Sequence, residues 1–325
     1  MSLAAVHDAG PPFADDDADI ILRSSDNADF RTHKLLLSKA STIFRDMFSA
    51  PISPQTPPST PSLDETKDGL TVVQMSEDEP TLKILLSFCY PAHLPDLSRP
   101  VDLRRAFAVG HKFEIEGITN MARSITVFLL KSGSWHPELV FAVGWQFRMK
   151  DVVVQAARKC LEYPMFSAPS HAELEAIPAT AMYILERYRR QCVRAVTGPL
   201  TWIKRKDIDP DIVTWRGYAA GYRSRNDCSC AFALSAHIPS MVEGYKLDGV
   251  PRWFSECIAQ AITDLQRLPC ESTVTALSLV APAIQTASQC RVCSTTAAAA
   301  LERFSQEFAQ NIKTILAKVK LETPF

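Results

Sequence analysis

Four cysteines fall in two close pairs, Cys228-Ser229-Cys230 and Cys290-Arg291-Val292-Cys293. Four soft thiolates in a tetrahedron are what a structural zinc ion takes, and ligands paired along the chain come together at low entropic cost. Cys-x-x-Cys is the spacing of a zinc knuckle. Cys-x-Cys is less usual, and a gap of about 60 residues means that the site exists only where the fold brings the pairs together. The competing reading is that Cys228, Cys230, Cys290 and Cys293 pack as small apolar side chains. Neither pair sits in a βαβ context, which disfavours redox chemistry.

A second grouping is basic: Arg187, Arg189, Arg190 and Arg194, continuing to Lys204-Arg205-Lys206, with Tyr188 and Trp202 nearby. Those residue types suit a nucleic-acid patch or an import signal. Helical spacing favours a plainer role. Ala181, Ile184, Leu185, Tyr188 and Cys192 share one face, with Arg187, Arg190 and Arg194 about opposite, as on a solvated face. Catalytic groupings are thin. The seven histidines are scattered singly, and G-x-S-x-G, G-x-G-x-x-G, H-E-x-x-H and the P-loop lysine motif do not occur. His33 and His111 read as structural, and Trp135, Trp145, Trp202, Trp215 and Trp253 as core or interface anchors. An enzyme is not expected.

The elements that would position these residues follow from composition and pattern. The 325 residues, 46% of them apolar, suffice for the cores of about two domains. Lys+Arg 35 against Asp+Glu 36 removes the basic excess of a charge-driven nucleic-acid binder. Eleven glycines against 22 prolines leave little for phosphate-cradling turns. Residues 1–22 carry no Lys or Arg but include Asp15, Asp16, Asp17 and Asp19, so 1–16 reads as a disordered acidic tail and not a secretory leader. Ser272 to Cys290 is uncharged yet crowded with hydroxyl and amide side chains and interrupted by Pro282, which implies soluble helices and no membrane partner. Nine cysteines, an odd count, point to reduced or metal-bound thiols and to cytoplasm or nucleus.

Asp19 to Arg23, the turn-forming Ser24-Ser25-Asp26-Asn27, and Ala28 to Thr32 predict a hairpin. Leu36, Leu37, Ala40, Phe44, Met47 and Phe48 predict short helices packed on it. Residues 51–69 hold Pro51, Pro54, Pro57, Pro58 and Pro61 among Ser and Thr and read as a surface insertion. Leu70 to Met75 follows as a buried strand, and Ser76 with Glu79 as the capping box of a helix from Thr81 to Tyr90. From about residue 101 the pattern is helical. Pro137 and Pro251 sit as first-turn prolines, and Leu301, Phe304, Phe308, Ile312, Ile315 and Val319 mark a last helix with the 3.6 period of a docked globular helix.

The run Asp19-Ile20-Ile21-Leu22, then Phe30-Arg31-Thr32-His33-Lys34-Leu35-Leu36-Leu37, then Ser41-Thr42-Ile43-Phe44-Arg45-Asp46-Met47-Phe48, resembles the BTB/POZ domain. Val72 to Pro91 and Val101 to Leu130 look like that domain's next strand and its remaining helices. The resemblance implies an α+β BTB/POZ-like domain over 17–130, of fungal type, with a charged pocket at Asp19 and Lys34 and no catalytic centre. It further implies a BACK-like helical segment over 131–200 and a mainly α-helical C-terminal region over 201–325. Leu63-Asp64-Glu65 fits the hydrophobic-x-Glu signature of cullin-binding members. The implied partners are other proteins, through a cullin-type ubiquitin ligase or by self-association. The alternative is a transcription or chromatin regulator with a zinc-stabilised C-terminal region. Only 18 residues precede the first strand, fewer than in members that dimerise by exchanging an N-terminal strand.

Overall fold

The computed structural model describes residues 5–49, 65–90, 95–198, 252–291 and 293–325. Cys228, Cys230, Trp202, Trp215, Lys204-Arg205-Lys206 and the five prolines of the insertion lie outside the described residues. The chain divides into two compact units, Met1–Trp135 and His136–Phe325.

The first unit is built on a mixed sheet of β1 (His7–Asp8), β2 (Ile20–Arg23), β3 (Ala28–Thr32), β4 (Thr66–Lys67) and β5 (Leu70–Gln74), in the order β1-β3-β2-β5-β4. The central strand β2 is buried at all four residues, which explains an unbroken Ile-Ile-Leu run in place of alternation. It pairs antiparallel with β3, Ile20 opposite Thr32, through the predicted turn, where Asn27 takes a left-handed φ of 71°. It pairs parallel with β5, Ile21 opposite Val72. Between β3 and β4 come α1 (Lys34–Ala40) and α2 (Thr42–Ser49), and after the sheet α3 (Glu79–Cys89), α4 (Pro100–Lys112) and α5 (Glu116–Ser132). The α+β architecture expected of this half is the one found.

Three local expectations are corrected. The stretch read as a disordered acidic tail is tied down from His7 onward, where the His7 N–H reaches Asn27 O at 3.1 Å. Strand β1 pairs parallel with β3, and Phe13 is buried with its ring 5.6 Å from Phe30 and edge-on to Tyr90. One buried aromatic anchor offsets the ordering cost that the acidic composition suggested nothing would offset. The insertion ends sooner than residue 69, because Asp68 (φ 54°) and Gly69 (φ 77°) close a two-residue hairpin that pairs Lys67 with Leu70. The helix after β5 begins earlier than Thr81. Its cap is Asp78, whose carboxylate accepts the Thr81 N–H at 3.1 Å, while Ser76 Oγ accepts from Lys112. The Asp78 carboxylate satisfies the exposed amide as a hydroxyl would, and Pro80 in the first turn fixes the start two residues before the predicted one.

The second unit holds α6 (Pro137–Gln146), α7 (Lys150–Cys160), α8 (Ala172–Glu175), α9 (Ala179–Thr197), α10 (Arg252–Arg267), α11 (Glu271–Thr275), α12 (Leu277–Ser288), a 3-10 turn at Cys293–Thr295 and α13 (Ala297–Lys318). The C-terminal half is mainly helical, as expected. The boundary between the compact units falls at Trp135. In α13 the buried stripe runs Leu301, Phe304, Phe308, Ile312 and Leu316, with Ile315 half-buried. Among the described residues no helix is long and apolar enough to cross a membrane.

The α4–α5 and α6–α7 hairpins share one connector. In each, a phenylalanine ends the first helix, Phe113 or Phe147, followed by a left-handed residue, Glu114 or Arg148, each at φ 52°. The next N–H, Ile115 or Met149, then reaches back to Gly110 O or Gly144 O at 2.9 Å. The glycines let the second helix approach. A Cβ on Gly110 would lie 2.7 Å from Thr119 Cγ2, and one on Gly144 3.1 Å from Val153 Cγ2.

Candidate functional site

Asp19 precedes β2 and is exposed, and its carboxylate accepts the Lys34 backbone N–H at 2.7 Å. The two residues of the expected charged pocket are therefore adjacent, but at the surface, with the carboxylate capping the start of α1. His33, the residue before that helix, makes no side-chain cap bond.

A buried ion pair of this unit lies elsewhere, between Arg23 and Asp29, which the sequence pattern did not single out. Arg23 and Asp29 face each other across β2 and β3, with side chains 7% and 0% exposed. The guanidinium holds the carboxylate with two bonds, Nε to Oδ1 at 2.6 Å and Nη2 to Oδ2 at 3.0 Å. Lys67 Nζ adds a third at 2.9 Å and also binds Asp8, while Arg23 reaches Glu65. Burial alone would raise the Asp29 carboxyl; the hydrogen bonds and charges of Arg23 and Lys67 outweigh it and hold the carboxyl below its ordinary range. Carboxylate neighbours likewise raise Arg23 and Lys67. The network ties the short strands β1 and β4 to the centre of the sheet. Glu65, the one described member of Leu63-Asp64-Glu65, is one of its outer ligands. The signal in the sequence was Arg23 ending the apolar run Ile20-Ile21-Leu22, with Asp29 between Ala28 and Phe30 across the turn.

The α1–α2 pair turns one set of apolar side chains inward and another outward. Leu37 and Phe44 are buried, and Phe44 stacks on Phe113 with centroids 4.7 Å apart. Leu35 is 64% exposed, and Ile43 and Met47, neighbours one turn apart on α2, are 40% and 42% exposed. Met47 was expected in the core and is instead on the surface. Large apolar side chains presented on paired helices are what a protein partner buries first.

The remaining candidates separate as follows. Cys290 and Cys293 are both buried, in the turn between α12 and α13, and their proposed co-ligands lie outside the described residues. Burial pushes the Cys192 and Cys257 thiols up to about 11. Among the described residues one group could offer three metal-ligand atoms, Asp15, Asp17 and His33; it is largely exposed, and Nδ1 of His33 meets the Tyr90 hydroxyl at 3.0 Å. His111 lies on α4. On α9 Ala181, Leu185, Tyr188 and Cys192 are buried and Arg187, Arg190 and Arg194 exposed, as helical spacing predicted. Two of those three are already paired, Arg187 with Glu322 and Arg190 with Glu186.

Arg189 breaks the pattern. It is 7% exposed, and its guanidinium donates to the backbone carbonyls of Cys160 and Tyr163, each at 2.9 Å, and to that of Arg267. Burial lowers its proton affinity below that of an ordinary arginine. It closes the C-terminal ends of α7 and α10, where orphan carbonyls and the negative ends of two helix dipoles receive a cation.

Residues 13–127 match the BTB/POZ domain model. The chain therefore carries a BTB/POZ domain, a protein–protein interaction module, in its first unit. No curated protein matches the chain.

Proposed function

We propose that this protein is a non-enzymatic scaffold whose BTB/POZ unit docks a cullin-type ubiquitin ligase through α1 and α2, leaving the helical unit to hold the protein to be modified. The observation that carries the reading is the outward apolar set Leu35, Ile43 and Met47. The same face is the place for self-association. The alternative, a transcription or chromatin regulator with a zinc-stabilised C-terminal region, would draw on the basic residues of α9. Pairing of Arg187 and Arg190 with glutamates leaves that face with little net charge for phosphate, which supports the scaffold reading over it. Cytoplasm and nucleus are the compartments where such an adaptor acts.

Affinity purification of the tagged full chain tests the choice. Recovery of a cullin with proteasome components is expected. Recovery of chromatin proteins, with DNA retention that falls steeply as salt rises, would replace the scaffold reading by the regulator.

A further inference from the structure

Beyond the end of α13, residues 319–325 run without regular secondary structure, and their exposure alternates. Val319, Leu321, Thr323 and Phe325 are half-buried, while Lys320, Glu322 and Pro324 are exposed. That is the two-residue period of an extended ribbon lying with one edge on a protein surface. Side chains hold it there. Arg187 on α9 binds the Glu322 carboxylate, and Trp145 on α6 meets the Phe325 ring edge to face, centroids 5.2 Å apart at 72°. The two anchors come from different helices, and Trp145 is itself backed by Phe141, 5.7 Å away. In an extended chain, positions three apart are separated by roughly 10 Å, so this surface fits an acidic group and an aromatic ring at that spacing. One solvent-exposed ion pair and one ring contact make a weak hold, of the kind a competing segment can displace.

We propose that Arg187 and Trp145 form a recognition site for an extended partner segment carrying an acidic residue three positions before an aromatic one, and that residues 319–325 are its resident, displaceable occupant. The site is separate from the α1–α2 face and does not depend on what docks there. Strap release and partner binding are one exchange, in which the partner's carboxylate and ring replace those of Glu322 and Phe325. A partner segment would therefore displace residues 319–325 only when it carries both groups.

The test uses the full chain and a fluorescein-labelled peptide with the sequence of residues 318–325, read by fluorescence anisotropy. The Glu322→Ala/Phe325→Ala chain is expected to bind the peptide at least tenfold more tightly than the wild type. Adding Arg187→Glu should abolish that gain, and a peptide carrying Lys in place of Glu322 should restore it. Equal binding by wild type and the double variant, or none by either, overturns the proposal.

Discussion

Among the described residues each unit buries one arginine, and the two are neutralised in opposite ways. Arg23 in the sheet unit meets carboxylates, Asp29 from the neighbouring strand and Glu65 from beyond the insertion. Arg189 in the helical unit meets main-chain carbonyls at the ends of two helices. The difference follows from what each fold leaves unsatisfied. Strands β1 and β4 have two residues each, too short to hold by ladder bonds alone, so ion pairs carried on side chains secure them. Helices leave their last carbonyls orphaned, and where two such ends converge one buried fork donor serves both. The buried arginine of the first unit is therefore one of a set of paired ions, and that of the second a cation set against dipoles.

The comparison predicts different penalties. Asp29→Asn leaves Arg23 and Lys67 facing each other without their shared anion and should cost about 3–5 kcal/mol in chemical denaturation, the largest single effect. That penalty should depend on pH. Because the folded Asp29 carboxyl sits below its ordinary value of 3.8, its contribution is fully present above that value and is lost as pH falls through the lowered native one. The wild type and Asp29→Asn should thus converge in stability as acid is added. Arg189→Met strands three carbonyls but also removes a buried charge, so about 1–3 kcal/mol is expected. The guanidinium and its three carbonyl partners do not titrate, so the gap to wild type should change less than that of Asp29→Asn across the same acid range. A gap at Arg189 that closes with acid would merge the two cases.

Smaller effects come from the paired hairpins. Gly110→Ala should destabilise by about 1–3 kcal/mol through overpacking against the stiff Thr119, and Gly144→Ala by less, since its nearest neighbour stands farther off. Thermal melts of the two variants decide the order. The smallest signal is chemical: Cys192 and Cys257, buried and held protonated to about 11, should resist iodoacetamide at pH 8 in the folded chain and react once it is denatured.

Much of this was legible in the sequence because it is local. The Ile20-Ile21-Leu22 run, the Ser24-to-Asn27 turn, the opening proline Pro137 and the α9 face all rest on neighbours within one turn or one hairpin, and the structure places them as read. Two signals were present and overlooked. Asp68-Gly69 is a hairpin dipeptide hidden at the edge of a proline-rich stretch, and Gly-x-x-Phe recurs at Gly110 and Gly144 with the same turn each time. Other features were beyond one-dimensional reading. Whether Asp19 or Asp29 is the buried carboxylate depends on which strand faces cross, and Arg189 differs from Arg187 and Arg190 only in what α7 and α10 place around it. Periodicity also set Met47 inside, because the spacing of α2 does not reveal that Phe44 alone fills the space beneath it.

Docking of a protein by the first unit through α1 and α2 is the proposal on which the function rests. The direct measurement is the affinity of the purified full chain for a purified cullin N-terminal region, wild type against Leu35→Glu/Met47→Glu. Both substituted side chains are exposed, so the melting temperature should not move. At least tenfold weaker binding by the variant at unchanged fold is expected. Equal affinity for the two chains, or no binding by the wild type at any accessible concentration, would contradict it.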